Sequence, residues 1–143
     1  MKGKDRKVLL DTSALFAFTE NEEGAAAVQN VLEDAKKGKL AAYISAMSVM
    51  ELYYITFQEI GEDAARQIVA LTRSLPAREL PLIDDLILPA ADLKARYHIS
   101  VADAWIAATA KLNGLTLLHK DPEFEPLKEE LDVLELPYKS HRK

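Results

Sequence analysis

Short apolar runs alternate with longer stretches of helical periodicity along the chain. The apolar runs predict five β-strands, which are Val8–Leu10, Leu40–Ile44, Glu79–Ile83, Leu115–Leu118 and Val133–Leu136. Apolar residues at helical spacing predict helices over Asn21 to Lys37, Met47 to Ile60, Asp63 to Leu75, Asp84 to Tyr97, Val101 to Leu112 and Pro122 to Leu131. Strands that alternate with helices favour a parallel sheet with helices on both faces, so an α/β fold is predicted.

Four acidic residues stand where the chain is predicted to pass from a strand into a helix. They are Asp11, Glu51, Asp103 and Asp121. The C-terminal ends of parallel strands open on one edge of a sheet, where ligands bind. We therefore expect these carboxylates, distant in sequence, to lie close together. Carboxylates that share a pocket repel each other unless a cation lies among them. The pattern thus predicts a divalent metal site and metal-assisted phosphodiester chemistry.

Each of these acids also has a purely structural interpretation at a helix N-terminus. The alternatives are N-caps at Asp11 and Asp121, and the spacing of a capping box in Ser48 to Glu51 and in Ser100 to Asp103. A helix N-terminus stabilises one negative charge by only about 1 kcal/mol. Because that is too little to hold several ionised carboxylates in one pocket, the set as a whole favours a metal site.

Composition narrows the chemistry of such a site. The chain has 143 residues, which fits a single domain over residues 1–143. It contains no cysteine, which excludes disulfides, thiolate zinc sites and a cysteine nucleophile. Its three histidines show no metal-binding spacing. A metal ion must therefore be held mainly by oxygen, which suits hard cations such as Mg²⁺ or Mn²⁺.

The distribution of charge and hydropathy bears on location and partners. The formal net charge of −5 argues mildly against a large nucleic-acid surface, although bound metal ions would offset part of it. Basic residues group near the two ends, as Lys2, Lys4, Arg6 and Lys7, and as Lys139, His141, Arg142 and Lys143. The N-terminal segment lacks the apolar stretch of a signal peptide, and no apolar run has the ~18 residues of a membrane span. We expect a cytoplasmic protein with no membrane association.

Four segments of the chain resemble the PIN domain and, within it, the VapC-type toxin ribonucleases. They are VLLDTSAL, ISAMSVMELYYI, ISVADAWIAATAKLNGLTLLHKDPEFEPL and the closing VLEL, and together they span nearly the whole chain. The resemblance implies a three-layer α/β/α sandwich with a parallel five-stranded sheet and a central first strand. It also implies an Mg²⁺- or Mn²⁺-dependent endoribonuclease that leaves a 5′-phosphate and a 3′-hydroxyl.

The same resemblance implies roles for individual residues. Asp11, Glu51, Asp103 and Asp121 match the acidic motif of the family, with Asp11 and Asp103 expected as direct metal ligands. Three further residues are weaker candidates for substrate binding or support, namely Ser13 beside the first aspartate, Lys120, and Glu123 two residues after Asp121. The family often has Thr or Ser where this chain has His119, which we expect to be a polar neighbour of the site. Lys120 is expected either to touch phosphate or to face solvent.

Partners also follow from the resemblance. VapC-type proteins usually form homodimers and are inhibited by a small antitoxin protein, and the helices between Met47 and Leu75 are apolar enough to offer such surfaces. Two alternatives remain open within the family, a PIN nuclease for RNA processing or DNA without a toxin role, and a catalytically silent PIN-fold interaction module. Outside it, a receiver domain would need paired acids after the first strand, and a haloacid dehalogenase-type phosphatase would need an aspartate where Ser13 stands.

Overall fold

A five-stranded parallel sheet forms the centre of the molecule. The computed structural model describes residues 6–138. The strands are β1 (Lys7–Leu10), β2 (Ala41–Ser45), β3 (Arg78–Leu80), β4 (Thr116–His119) and β5 (Val133–Glu135). They lie in the order β3-β2-β1-β4-β5, and every neighbouring pair is parallel. The predicted five strands and the central position of the first strand are confirmed, and the third strand lies at an edge of the sheet.

Helices connect successive strands. They are α1 (Thr12–Thr19), α2 (Ala25–Lys36), α3 (Ala46–Glu59), α4 (Glu62–Arg73), α5 (Ile87–Arg96) and α6 (Val101–Asn113), with 3₁₀ segments at Asp84–Leu86 and Pro122–Glu129. All but α1 overlap a predicted helix. The last predicted helix is 3₁₀ rather than α, and Pro126 lies inside it, where proline has no N–H to donate.

Alternating side chains of β1 face two separate hydrophobic cores. Val8 and Leu10 pack into a core with residues of α1, α2 and α3. Leu9 packs into a second core with residues of α5, α6 and the two 3₁₀ segments. This alternation is the two-residue period of a strand that is buried on both faces. The three-layer α/β/α arrangement is therefore confirmed. It leaves the C-terminal ends of β1 and β4 next to each other, where the amide N–H of Asp11 donates to the carbonyl of Leu118 at 2.9 Å.

Local details correct one of the capping interpretations and bear out three N-caps. α3 begins at Ala46 and is capped by Ser45, whose hydroxyl accepts from the amide of Met47. The capping box predicted for Ser48 to Glu51 is therefore wrong, and Glu51 lies in the second turn of α3. In contrast, N-caps at Asp11, Ser100 and Asp121 are all observed, with hydrogen bonds from the amides of residues 13, 103 and 123.

Some predictions concern residues outside the described range. Lys2, Lys4, Lys139, His141, Arg142 and Lys143, which make up most of the two basic groups, lie outside residues 6–138. Within that range, no helix is both long enough and apolar enough to cross a bilayer.

Candidate metal-binding active site

Asp11 lies at the end of the central strand with its carboxylate almost fully buried. Its side chain is 1% exposed, although it is an ionisable group. One carboxylate oxygen, Oδ2, accepts hydrogen bonds from the amide and the hydroxyl of Ser13. The other oxygen, Oδ1, is buried and has no hydrogen-bond partner among residues 6–138. A buried acceptor without a partner is costly, so this oxygen is suited to a ligand that the protein does not itself supply.

A short hydrogen-bond relay fixes which oxygen of Asp11 stays open. The amide of Lys120 donates to the Ser13 hydroxyl oxygen at 2.8 Å. A hydroxyl has one proton, and that of Ser13 is donated to Asp11 Oδ2. The relay therefore joins the start of α1 to the chain that follows β4. It also orients the Asp11 carboxylate so that Oδ1 faces away from these donors.

Asp103 reaches the same edge of the sheet from the first turn of α6. Ser100 caps this helix, and its hydroxyl accepts from the amide of Asp103 at 3.0 Å. The side chain of Asp103 is 6% exposed. Carboxylate oxygens of Asp103, Asp121 and Glu123 all lie within 4.8 Å of one another, which is close enough for the three groups to hold one metal ion.

Asp121 and Glu123 are presented by the turn that leads from β4 into the 3₁₀ helix. The amide of Asp121 donates to His119 Nδ1 at 3.1 Å, and Asp121 Oδ1 accepts from the amide of Glu123 at 2.9 Å. Glu123 Oε1 in turn accepts from the amide of Ser100 at 3.2 Å. This turn thus links the end of β4 to the start of α6. Glu123, which was predicted only as a weaker candidate, is a member of the group of three carboxylates.

Glu51 extends from the second turn of α3 towards the start of α1. Its Oε1 accepts from the hydroxyl of Thr12 at 2.6 Å, and the Thr12 hydroxyl also lies 2.9 Å from Ser48 Oγ. Burial raises the pKa of Glu51, and the charges of Asp121 and Glu123 add to this effect. Roles for Thr12 and Ser48 at this site were not predictable from the sequence, because they depend on the packing of α1 against α3.

Burial and mutual repulsion disfavour ionisation of several carboxyl groups in the metal-free protein. Burial raises the pKa of Asp11 to about 7, and the charges of Asp121 and Glu51 add to this effect. The pKa of Asp103 lies well above its usual range. Burial is the largest cause, and the hydrogen bond to Glu123 and the neighbouring negative charges raise the pKa further. The same hydrogen bond lowers the pKa of Glu123. In the metal-free protein these opposite directions favour a proton on Asp103 over one on Glu123.

These properties fit a divalent cation. The donor atoms are all carboxylate oxygens, the ligand type that Mg²⁺ and Mn²⁺ prefer. Asp11 Oδ1 is buried without a partner, and the Asp103, Asp121 and Glu123 oxygens already lie within 4.8 Å of each other. A cation among them would offset the repulsion that helps to raise the pKa values of Asp11 and Asp103.

His119 and Lys120 differ in their relation to the site. His119 is fully buried and accepts from the amide of Asp121, and its ring packs 5.0 Å from that of Phe124. It is therefore the polar neighbour that was expected. The side chain of Lys120 is only 5% exposed, so it does not face solvent, and its ammonium lies 3.3 Å from Glu22 Oε1.

The comparison with known families agrees with this architecture. Residues 8–130 match the family model of the PIN domain, and that range includes every residue of the acidic cluster. The chain belongs to the PIN-domain family.

One sequence relative and two solved structures are similar to this chain. The chain is 32% identical over 129 residues to Ribonuclease VapC2 of Mycobacterium tuberculosis, and the match covers 86% of each protein. Its fold is similar to that in VapBC2 from Rickettsia felis bound to a promoter DNA fragment, with a TM-score of 0.73 and 15% identity over 92% of this chain and 99% of that one. It is also similar to DNA-bound VapBC from Salmonella typhimurium, with a TM-score of 0.72 and 19% identity over 92% and 98%.

Proposed function

We propose that this protein is a metal-dependent endoribonuclease that hydrolyses RNA phosphodiester bonds, and that it is the toxin of a VapBC-type pair. The observation that carries the proposal is the buried, unpartnered Oδ1 of Asp11 beside a cluster of further carboxylates. The relative named Ribonuclease VapC2 supports RNA as the substrate. A catalytically silent PIN module is disfavoured because the complete acidic set is present, and because the capping role of Asp11 does not account for its buried Oδ1, which has no hydrogen-bond partner among residues 6–138.

The residues divide into cation holders and supporting groups. Asp11 through Oδ1 and Asp103 would hold an Mg²⁺ or Mn²⁺ ion directly, and Asp121 with Glu123 would complete the same site. When bound, the cation supplies positive charge that stabilises the attacking and leaving oxygens of the phosphodiester. Ser13 keeps Asp11 Oδ2 occupied, so that only Oδ1 is presented.

Glu51 is the candidate for handling a proton. Its Oε1 is held by Thr12, and burial raises its pKa. A carboxylate with a raised pKa accepts protons more readily near neutral pH. We assign its Oε2 to orient the attacking water and to receive a proton from it as the water attacks phosphorus. The bond between phosphorus and the 3′-oxygen breaks in the same displacement, and the leaving 3′-oxygen takes a proton from solvent.

An RNA cleavage assay tests the proposal. The purified protein should cleave RNA in Mg²⁺ or Mn²⁺, lose this activity in EDTA, and regain it when the metal is restored. Asp11→Asn and Asp103→Asn should each reduce the rate by about 100-fold or more, because each loses a charged ligand for the cation. Cleaved ends should carry a 5′-phosphate and a 3′-hydroxyl.

A matched substitution controls for contaminating nucleases and for loss of charge. Asp63→Asn makes the same exchange at an exposed aspartate in the first turn of α4, outside the cluster, and should retain full activity. Cleavage that persists in EDTA, or that is equal in Asp11→Asn, Asp103→Asn and Asp63→Asn, would rule out the proposed site.

The partners belong to the same proposal. Structural neighbours of this chain are VapBC complexes, which supports a small antitoxin partner for this protein as well. Tyr54 and Phe57 of α3 are 40% and 45% exposed, and they would lie in a homodimer or antitoxin interface. Expression with and without the product of an adjacent small gene tests the pair. The two proteins should co-purify and RNA cleavage should fall, whereas cleavage unaffected by that product would leave a nuclease without a toxin role.

A further inference from the structure

Lys120 carries a charge into the interior beside the active site. Its side chain is only 5% exposed, unlike that of Lys128, which is 50% exposed on the 3₁₀ helix. A buried ammonium is costly unless it is paired and hydrogen-bonded. The partners of Lys120 therefore indicate what this residue does.

The ammonium of Lys120 binds the turn between α1 and α2. Its Nζ lies 3.3 Å from Glu22 Oε1 and donates to the carbonyl of Glu23 at 2.9 Å. This turn directly follows the last turn of α1, which is closed by Glu20. The side chain of Lys120 thus holds the C-terminal end of α1 in place.

The backbone of Lys120 holds the other end of the same helix. Its amide donates to the hydroxyl of Ser13 in the first turn of α1, and that hydroxyl donates to Asp11 Oδ2. A helix of this length spans about 12 Å. One residue at the end of β4 therefore fixes α1 at both ends, and the N-terminal end carries the orientation of the Asp11 carboxylate.

A phosphate contact is a poorer account of this lysine. To reach a phosphate, the ammonium would have to leave Glu22, whose side chain is 22% exposed and would lose its cation partner at Lys120. The observed hydrogen bonds of Lys120 go to Ser13, Glu22 and Glu23, so they favour an effect on the site through the geometry of α1.

We propose that Lys120 is a positioning residue that presents Asp11 Oδ1 to the catalytic cation. Its ammonium holds the turn at residues 20–24 that follows α1, and its amide holds the first turn of α1 next to the end of β4. The inference rests on the proposed nuclease function only in that the cation serves RNA cleavage. Its first consequence is a change in metal affinity, which is measurable without RNA.

The test uses Lys120→Met, which keeps most of the side-chain volume and removes the ammonium. Mn²⁺ affinity measured by calorimetry should fall about tenfold, the usual effect of losing a residue that orients a metal ligand. The kcat for RNA should fall with it, while KM stays within about twofold and the salt dependence of kcat/KM keeps its slope. A phosphate contact would instead raise KM, reduce that slope by about 0.7 and leave Mn²⁺ affinity unchanged, and this result would overturn the proposal.

Two further variants separate positioning from a general loss of stability. Lys128→Met removes the same charge from an exposed ion pair and should change neither Mn²⁺ affinity nor kcat. Ser13→Ala breaks the relay directly, so Ser13→Ala with Lys120→Met should bind Mn²⁺ no more weakly than Ser13→Ala alone, because both act through one link. Additive losses would contradict the proposal. Should Lys120→Met fail to fold, Glu22→Gln must weaken Mn²⁺ binding in the same direction, and unchanged affinity there would equally overturn it.

A failure of the proposed function would look different. If the wild type binds Mn²⁺ but does not cleave RNA, the function is refuted, whereas the affinities of the variants still decide the role of Lys120.

Discussion

Replacement of Asp11 by asparagine should make the stability of the metal-free protein respond differently to pH. Burial raises the pKa of Asp11 from 3.8 to about 7 in the folded protein, while the unfolded chain keeps the lower value. The folded state therefore binds more protons than the unfolded state between these values, and stability falls as the pH rises through this window. The resulting cost is about 4 kcal/mol once the pH is well above 7, and it is absent below the pKa of the unfolded chain.

Asp11→Asn removes this cost but introduces a second term. The amide can still accept from Ser13, whereas its NH₂ group would occupy the place of the unpartnered Oδ1. A buried donor without a partner costs about 1–3 kcal/mol. That term does not change with pH, so it cancels when the two proteins are compared at two pH values. We expect the stability of the wild type relative to the variant to fall by about 2.5 kcal/mol between pH 5 and pH 8.

Urea unfolding in EDTA at pH 5 and pH 8 measures this difference. Asp63→Asn, measured in parallel, controls for the removal of one negative charge at an exposed site. Saturating Mn²⁺ should stabilise the wild type at pH 8, by about 2.7 kcal/mol at a hundred times its dissociation constant, and should have little effect on Asp11→Asn. A difference between wild type and Asp11→Asn that stays constant from pH 5 to pH 8 would refute the reasoning, because it would mean that Asp11 ionises in the folded state as readily as in the unfolded chain.

Three further substitutions probe the supports of the site. Ser100→Ala removes the cap of α6 and should lower the free energy of unfolding by about 1 kcal/mol in urea titrations. Glu123→Gln removes the carboxylate that accepts from Asp103, so the pKa of Asp103 should move down towards its ordinary value, which carboxyl ¹³C NMR would detect. Gly24→Ala should destabilise the fold by about 1–2 kcal/mol, because Gly24 has a φ of 99° and a Cβ there would lie 3.2 Å from Leu136 Cβ. An unchanged midpoint for either alanine variant, or an unmoved Asp103 resonance in Glu123→Gln, would contradict these interpretations.

Much of the fold was predictable because local signals and global topology agree. Apolar runs marked all five strands, and Gly38, Gly61 and Gly114 lie just beyond the C-terminal ends of three helices, where glycine is favoured. The exception is α1, which was not among the predicted helices. Its sequence, TSALFAFT, is apolar on nearly all sides because it is buried against the sheet, so it lacks the amphipathic period that identifies a surface helix.

The site was predictable as a set of residues and less so as a geometry. Parallel topology brings strand ends to one edge, which was enough to group the four acids. The topology could not reveal that Glu123 lies with Asp103 and Asp121 in a group of carboxylates within 4.8 Å of one another. This grouping depends on a turn in which the Glu123 carboxylate accepts from the amide of Ser100. Nor could the topology show that the side chain of Lys120 is buried. Its partner Glu22 lies in the turn after α1, and the bounds of this helix were not predicted.

The most direct test of the account is where a cation binds. Crystals of the protein soaked in Mn²⁺ would locate the ion by its anomalous scattering. We predict a peak enclosed by the carboxylates of Asp11, Asp103 and Asp121, with Asp11 Oδ1 about 2 Å from the ion. A structure at saturating Mn²⁺ in which the peak lies elsewhere, or in which Asp11 Oδ1 keeps no contact with it, would contradict the claim that the fold gathers these acids to hold one catalytic cation.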